Sequence, residues 1–227
     1  MTVRHRSVEG RSWDKVLKEY TKSIFFAIFL AVLIRATLVQ AYHIPSASME
    51  NTLLVGDYVL GDKLTFGTQI PDRLPLLNVK LPSFRMPGFR DPRPGDIVIF
   101  EFPHDPSRDF IKRCVAVGGQ TIEIINKNVF VDGQRFADAS GVKHIDPGNP
   151  PRHLSKRDNY GPFTVPPGHI FVMGDNRDAS DDSRFWGTVS LRKLKAHPVI
   201  IYFSWDQNVP IWNPFKKIRW SRLGWVG

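Results

Sequence analysis

The sequence predicts a mainly β protein, an antiparallel barrel or sandwich, behind one N-terminal transmembrane helix. Three observations predict it. A single long apolar stretch begins at Ile24. From Val55 onward short β-branched and aromatic runs alternate with turn residues, and amphipathic helical periodicity is weak after residue 43.

Composition sets the outer limits. A chain of 227 residues, 42% hydrophobic and 23% charged, is long enough for one good core and short for two, so one main domain is expected. The excess of 31 Lys+Arg over 22 Asp+Glu gives +9, which suits nucleic acid, an acidic partner or an anionic bilayer and does not choose among them. The lone Cys114 excludes an internal disulfide framework, and the seven histidines show no zinc-site spacing, so no metal is implied.

The first element is the apolar segment. Ile24 to Tyr42 is 19 residues, about 28 Å as a helix, close to the hydrocarbon thickness of a bilayer. Arg35 lies near its far end, where a long stem reaches the headgroups. Residues 1–22 carry six Lys/Arg against three acids, and residues 43–62 carry no Lys or Arg. The positive-inside rule then leaves 1–22 in the cytoplasm, 23–42 as the anchor, and 43–227 as a β-rich domain on the outer (periplasmic or extracellular) face of the cytoplasmic membrane. A cleaved secretory signal ending near Val39-Gln40-Ala41 is the rival, and a buried core helix a third reading.

The expected strands follow in order: 58–64, 96–102, 110–117, 121–125, 129–131, 170–173 and 199–204, with Gly118-Gly119 and Asp132-Gly133 as turns. Residues 71–94, with six prolines, and 138–167, rich in Pro, Gly and charge, read as long irregular connections. The tail from Phe203 to Trp225 mixes Trp205, Trp212, Phe215, Trp220 and Trp225 with Lys216, Lys217, Arg219 and Arg222. That mixture suits a membrane interface, single-stranded nucleic acid, or simply the core of a β domain.

Three short blocks carry the chemistry: Ile44-Pro45-Ser46-Ala47-Ser48-Met49, Phe110-Ile111-Lys112-Arg113, and Gly174-Asp175-Asn176-Arg177-Asp178-Ala179-Ser180-Asp181-Asp182-Ser183-Arg184. Each alone has a plain structural reading. Ser-x-Ser after proline is a turn, Lys-Arg in a strand lines solvent, and an Asp/Asn/Ser run is a loop bonded to its own backbone. A serine hydroxyl needs a base to become a nucleophile, and a lysine serves only if burial keeps its amine neutral. Strand alternation aims Lys112 and Arg113 at opposite faces, so one of the two can point inward.

Taken together and in this order, the blocks resemble those of type I signal peptidases, the bacterial leader peptidase family of membrane-anchored serine proteases that use a Ser-Lys dyad. Val55-Gly56-Asp57-Tyr58-Val59, Pro94 to Phe100 and Trp186-Gly187 extend the likeness from residue 23 on. The resemblance implies a serine endopeptidase that removes N-terminal signal peptides from exported preproteins after small-x-small (Ala-x-Ala-like) sites, through an acyl-enzyme. It implies Ser48 as nucleophile and Lys112 as general base, with Ser180 bonded to the lysine amine and Ser46 completing an oxyanion site beside the Ser48 N–H. It implies apolar pocket walls from Tyr42, Ile44, Leu53, Phe110 and Ile111, and supporting ion pairs from Arg113, Asp175, Asp182 and Arg184. No cofactor is implied. The partners are signal peptides and membrane lipid, with no nucleic acid and no obligate protein partner.

Three departures from the family pattern stand out: Asn51 where Pro is usual, Ala179 where Asn is usual, and Gly118-Gly119-Gln120 in place of a Leu-Pro-Gly-Asp-like turn. None removes a reacting group. A tethered binding module without turnover is the alternative of a different class, and a nucleic-acid binder, resting on charge and the tail, a more distant one.

Overall fold

A computed structural model describes residues 13–67, 87–210 and 212–226. Much of the expected connection 71–94 lies outside the described residues. The described residues open with helix α1, Trp13–Thr37, and continue through twelve strands: β1 Val39–His43, β2 Asp57–Asp62, β3 Ile97–Phe102, β4 Asp105–Val117, β5 Thr121–Ile125, β6 Asn128–Val131, β7 Gln134–Arg135, β8 Tyr160–Thr164, β9 His169–Met173, β10 Val189–Ser190, β11 Leu194–Ser204 and β12 Gly224–Trp225. Two short helices, α2 (Ser183–Trp186) and α3 (Pro214–Lys217), complete it.

The strands pair antiparallel in two sheets. The larger runs β1-β2-β11-β3-β4-β9-β10, with β12 added to β11, and the smaller runs β7-β6-β5-β8. The larger path ends at β1 and β10 without returning on itself, so the expected mainly β fold is present, but among the described residues no closed barrel forms.

Strand β3 shows why an apolar run becomes a central strand. Ile97 and Ile99 pack in one cluster with Tyr42, Ile44, Met49, Leu53 and Val59, while Val98 and Phe100 pack on the other face with Cys114, Val172 and Leu194. With both faces covered, neither set of alternate side chains needs to be polar. A third cluster, including Val115, Ile122, Ile124 and Phe171, seats the smaller sheet on β4 and β9. Strand β11 carries Pro198 inside it, and the register slips there between Pro198 and Ile200, a bulge that accommodates the missing N–H.

The expected helical segment 23–42 is divided. The helix ends at Thr37, and Val39 to His43 forms β1, paired in unbroken register with β2 from Val39↔Asp62 to His43↔Tyr58. Tyr42, at the end of the expected anchor, is buried in the core. Between Lys22 and Arg35 the uncharged helical run is Ser23 to Ile34, about 18 Å long at 1.5 Å per residue, against a hydrocarbon core of about 30 Å. Among the described residues no helix is long and apolar enough to cross a membrane. The helix nevertheless leaves Ile24, Phe25, Phe26, Ile28, Phe29, Leu30, Leu33 and Ile34 exposed.

The tail divides between the two kinds of role that its composition left open. Arg219 and Arg222 turn inward to the buried Asp57, and Lys217 packs over the Trp205 ring at 4.6 Å. The aromatics Trp212, Phe215, Trp220 and Trp225 remain exposed.

Candidate active site

Strand β1 delivers the chain into a 3-10 turn, Ala47–Met49, that carries Ser48. Buried Ile44 and Met49 pin the two ends of this turn into the first core cluster. The backbone closes around it: Ile44 N–H donates to the Asp57 carbonyl at 2.9 Å, Gly56 N–H to the Ile44 carbonyl at 3.0 Å, and Leu53 N–H to the Met49 carbonyl at 2.7 Å. Asp57 locks the far end, accepting from Leu54 N–H at 2.8 Å, Ser204 Oγ at 2.6 Å and Arg222 at 2.7 Å. The sequence reading gave Asp57 no role beyond its motif.

Lys112 lies in β4, opposite Val98 of β3. Alternation along the strand sends Lys112 into the cleft and Arg113 behind it. The Lys112 Nζ donates to Ser48 Oγ at 2.7 Å, and the lysine is only 4% exposed. The Phe110 ring covers the amine from 5.2 Å. Burial lowers the Lys112 pKa from 10.5 to about 8; the carboxylates of Asp182 and Asp181 oppose the shift and Arg184 adds to it. A neutral amine is therefore accessible near neutral pH. The neighbouring thiol of Cys114 is moved the other way, up to about 12 by burial first and by Asp96 second, so it stays protonated and inert.

The segment after β9 braces both groups. Arg113 donates from Nε to Asp175 Oδ1 at 2.8 Å and from a terminal nitrogen to Oδ2 at 2.7 Å, a two-point buried ion pair. Thr52, four residues past the serine, donates its hydroxyl to the same carboxylate. Asp182 and Arg184 form the second pair, at 2.8 Å through two nitrogens, and Asp182 also accepts the Gly174 N–H at 3.0 Å. Burial raises the Asp182 carboxyl, but the Arg184 charge and hydrogen bonds outweigh it and hold the pKa below the ordinary carboxylate value.

Asn176, which the sequence reading left unassigned, grips the serine turn directly. Its N–H donates to the Ser48 carbonyl at 3.1 Å and its side-chain amide to the Ala47 carbonyl at 3.1 Å. Gly174 is required by the same closeness. A Cβ there would overlap the Ser180 hydroxyl and stand 2.5 Å from the Ser48 carbonyl oxygen.

The expected bond from Ser180 to Lys112 is not formed. The Ser180 hydroxyl is buried and has no hydrogen-bond partner among the described residues; it lies against Gly174, on the side of Asp182. Ser46 Oγ stands 3.4 Å from Ser48 Oγ, on the lip of the same turn.

A cavity of about 510 Å³ opens in front of the pair. Tyr42, Ile44, Leu53, Phe110 and Ile111 all line it, together with Ser46, Ser48 and Lys112. The Tyr42 hydroxyl is buried without a partner among the described residues, and burial, aided by Asp109, raises its pKa. Among the described residues no group of three His, Cys, Asp or Glu side chains could hold a metal ion.

The departures have local consequences. Asn51 adopts a φ of 79°, in the left-handed region that Asn tolerates and a proline ring cannot enter. Ala179 lines the cavity, where a larger amide would narrow it. At Gly118-Gly119-Gln120 the chain turns with Gly119 at φ 90°, and the Gln120 side chain accepts the Val117 N–H at 3.0 Å.

The chain is similar to proteins of one known family. A family model described as signal peptidase, peptidase S26, matches residues 17–203. The chain is 34% identical to a signal peptidase I of Aquifex aeolicus over 230 residues, covering 79% of this chain and 82% of that one. It is 32% identical to a signal peptidase I of Pseudomonas aeruginosa, covering 87% of this chain and 76% of that one, and 32% identical to one of Pseudomonas fluorescens, covering 82% and 69%. With a family match across most of its length and a buried serine and lysine within its matched residues, the chain belongs to peptidase S26, the signal peptidases, serine peptidases that remove signal peptides.

Proposed function

We propose that Ser48 is the nucleophile and Lys112 the general base of this peptidase, and that it cuts preproteins after small-x-small sequences. The 2.7 Å contact between a buried lysine amine and a serine hydroxyl, at the mouth of an apolar cavity, carries the reading. Neutral Lys112 takes the Ser48 proton as Oγ adds to the scissile carbonyl carbon. The Ser46 hydroxyl and the Ser48 N–H meet the oxyanion, each such donor contributing about 3 kcal/mol to the transition state. The lysine ammonium then passes its proton to the leaving amine as the C–N bond breaks. The acyl group remains on Ser48. Lys112, neutral again, takes a proton from water as its oxygen attacks the ester, and the proton returns to Ser48 as the acid product leaves.

The walls formed by Tyr42, Ile44, Leu53, Phe110 and Ile111 support a preference for small side chains, since they leave apolar space of limited width. Ser180, buried beside the site, keeps a supporting role through packing on Gly174. Arg113 with Asp175 and Arg184 with Asp182 act as scaffold.

The same reading makes α1 a single-pass anchor in the cytoplasmic membrane, N-terminus inside, with the β domain on the outer face. Apolar side chains exposed all round the helix need a cover, and lipid supplies it. The stems of Lys22 and Arg35 reach outward to the headgroups and make up part of the length. The exposed Trp212, Phe215, Trp220 and Trp225 then suit the interface beside it.

Cleavage of a model preprotein in detergent by the wild type and by Ser48→Ala, with sequencing of the new N-terminus, tests the proposal. A cut after small-x-small by the wild type alone is expected. Equal cutting by both proteins would overturn it.

A further inference from the structure

Among the described residues, one carboxylate lining the cavity before Ser48 has no hydrogen-bond or ion-pair partner. Of its charged lining residues, Asp109 is paired with Lys195 at 2.7 Å, Arg108 lies over the Phe110 ring at 5.2 Å, and Lys112 holds Ser48. Asp181 lines the cavity, is exposed to solvent, and forms no ion pair or hydrogen bond among the described residues. It is nonetheless held in place. The next residue, Asp182, is buried and tied to Arg184 and to the Gly174 N–H, and the preceding Ser180 is buried against Gly174. The carboxylate therefore projects from a fixed backbone into the opening of the cleft, on the lip it shares with Ala179.

We propose that Asp181 is a specificity-determining residue of this cleft, favouring a cationic side chain beside the scissile bond and disfavouring an acidic one. The proposal rests on the reading of Ser48 and Lys112 given above. A substrate segment bound in extended form alternates its side chains. If the two small residues face the apolar wall, the residue between them and the first residue after the cut turn the other way, toward the opposite lip. The field of Asp181 matters most when the site is competent. A protonated Lys112 offsets that carboxylate, whereas the neutral lysine needed for proton transfer leaves it unbalanced, with Arg184 already committed to Asp182.

The test uses the full chain in detergent and a set of otherwise identical preproteins. They carry Lys, Gln or Glu at the middle position of the small-x-small motif or, separately, at the first position after the cut. kcat/KM is measured for the wild type, Asp181→Asn and Asp181→Lys, and the Lys/Glu ratio is taken within each enzyme, so loss of overall activity does not distort it. The wild-type ratio is expected to be roughly three- to tenfold in favour of Lys at low salt and to shrink at high salt. It should fall to about one in Asp181→Asn and invert in Asp181→Lys, at one or both positions. An identical ratio in all three enzymes at both positions would overturn the role of Asp181 while leaving Ser48 and Lys112 untouched. A wild type that cuts none of the substrates, or a Ser48→Ala control that cuts them all, would overturn the underlying reading instead.

Discussion

Arg113 and Asp175 clasp each other through two hydrogen bonds, at 2.8 and 2.7 Å, directly behind the strand position that presents Lys112 to the cleft. Both are almost wholly buried, so neither charge has water to fall back on. Removing one partner leaves the other uncompensated. Arg113→Ala is expected to cost about 3–5 kcal/mol of unfolding free energy, visible as a lower midpoint in urea. Arg113→Lys should recover only part of it, because an ammonium cannot reproduce the two-point grip.

Lys112 is carried at a cost that depends on pH. Its folded pKa of about 8 lies below the ordinary 10.5, so between those values the unfolded chain binds more protons than the folded one, and stability rises with pH through that window. Below about 8 the penalty is fully present, roughly 3 kcal/mol by the usual conversion. Lys112→Met should therefore be inactive yet more stable than the wild type at pH 7. Its advantage should shrink as the pH is raised toward 10.5, which urea titrations at both ends of the range would show.

For activity the sign follows from the same group. Only the neutral amine takes the serine proton, so kcat/KM should climb as pH rises and level off above about 8. A pH-rate profile of the wild type on one fixed preprotein measures it. A flat profile between pH 6 and 9, as an approximate range, would remove Lys112 as the base.

Gly174 leaves no room for a methyl group. Its neighbours are the Ser180 side chain and the Ser48 carbonyl oxygen, so Gly174→Ala must displace the nucleophile turn or the loop that braces it. A shift of about 1 Å at the reacting atoms costs on the order of a hundredfold in rate, and kcat should fall by that order with the fold retained. Far-UV circular dichroism alongside kinetics separates the two effects.

Asn51 makes a prediction against the family pattern. At φ 79° a proline is excluded, so Asn51→Pro should destabilise this chain by at least about 1 kcal/mol. Because the next residue, Thr52, bonds Asp175, activity should fall as well. Thermal melts of the variant read the first effect directly.

How much of this could be read in advance varied with the kind of signal. All seven expected strands are present, five of them to within two residues and β4 and β11 each starting five residues early, because β-branched runs bounded by turn residues reflect burial that the sequence itself encodes. Strand β4 begins earlier than expected, at Asp105, since its polar first residues pair with β3 while facing solvent and carry no hydrophobic pattern. Strand β1 was hidden inside the apolar segment: an unbroken hydrophobic run does not mark where lipid-type burial gives way to core burial, and Tyr42 looks the same in either. β8 lay in a Pro- and Gly-rich stretch whose composition argues for irregularity. At the site, the reactive side chains were legible as residue types in short blocks. The braces were not: Asn176 and Asp57 act through backbone carbonyls and N–H groups brought close by folding, and no spacing in the sequence announces such contacts. The missing bond from Ser180 belongs to the same class, decided by which way a small hydroxyl turns.

Only Leu38 separates the last residue of α1 from the first of β1, and β1 stays in register with β2 along all five residues before the chain turns toward Ser48. There is no slack between the helix and the nucleophile. Five strand residues advance about 17 Å, so if α1 is fixed in a bilayer, the serine is kept within a short, set reach of it. The enzyme would then work as a depth gauge, meeting a substrate's bond only where that substrate's own membrane segment brings it to the same level.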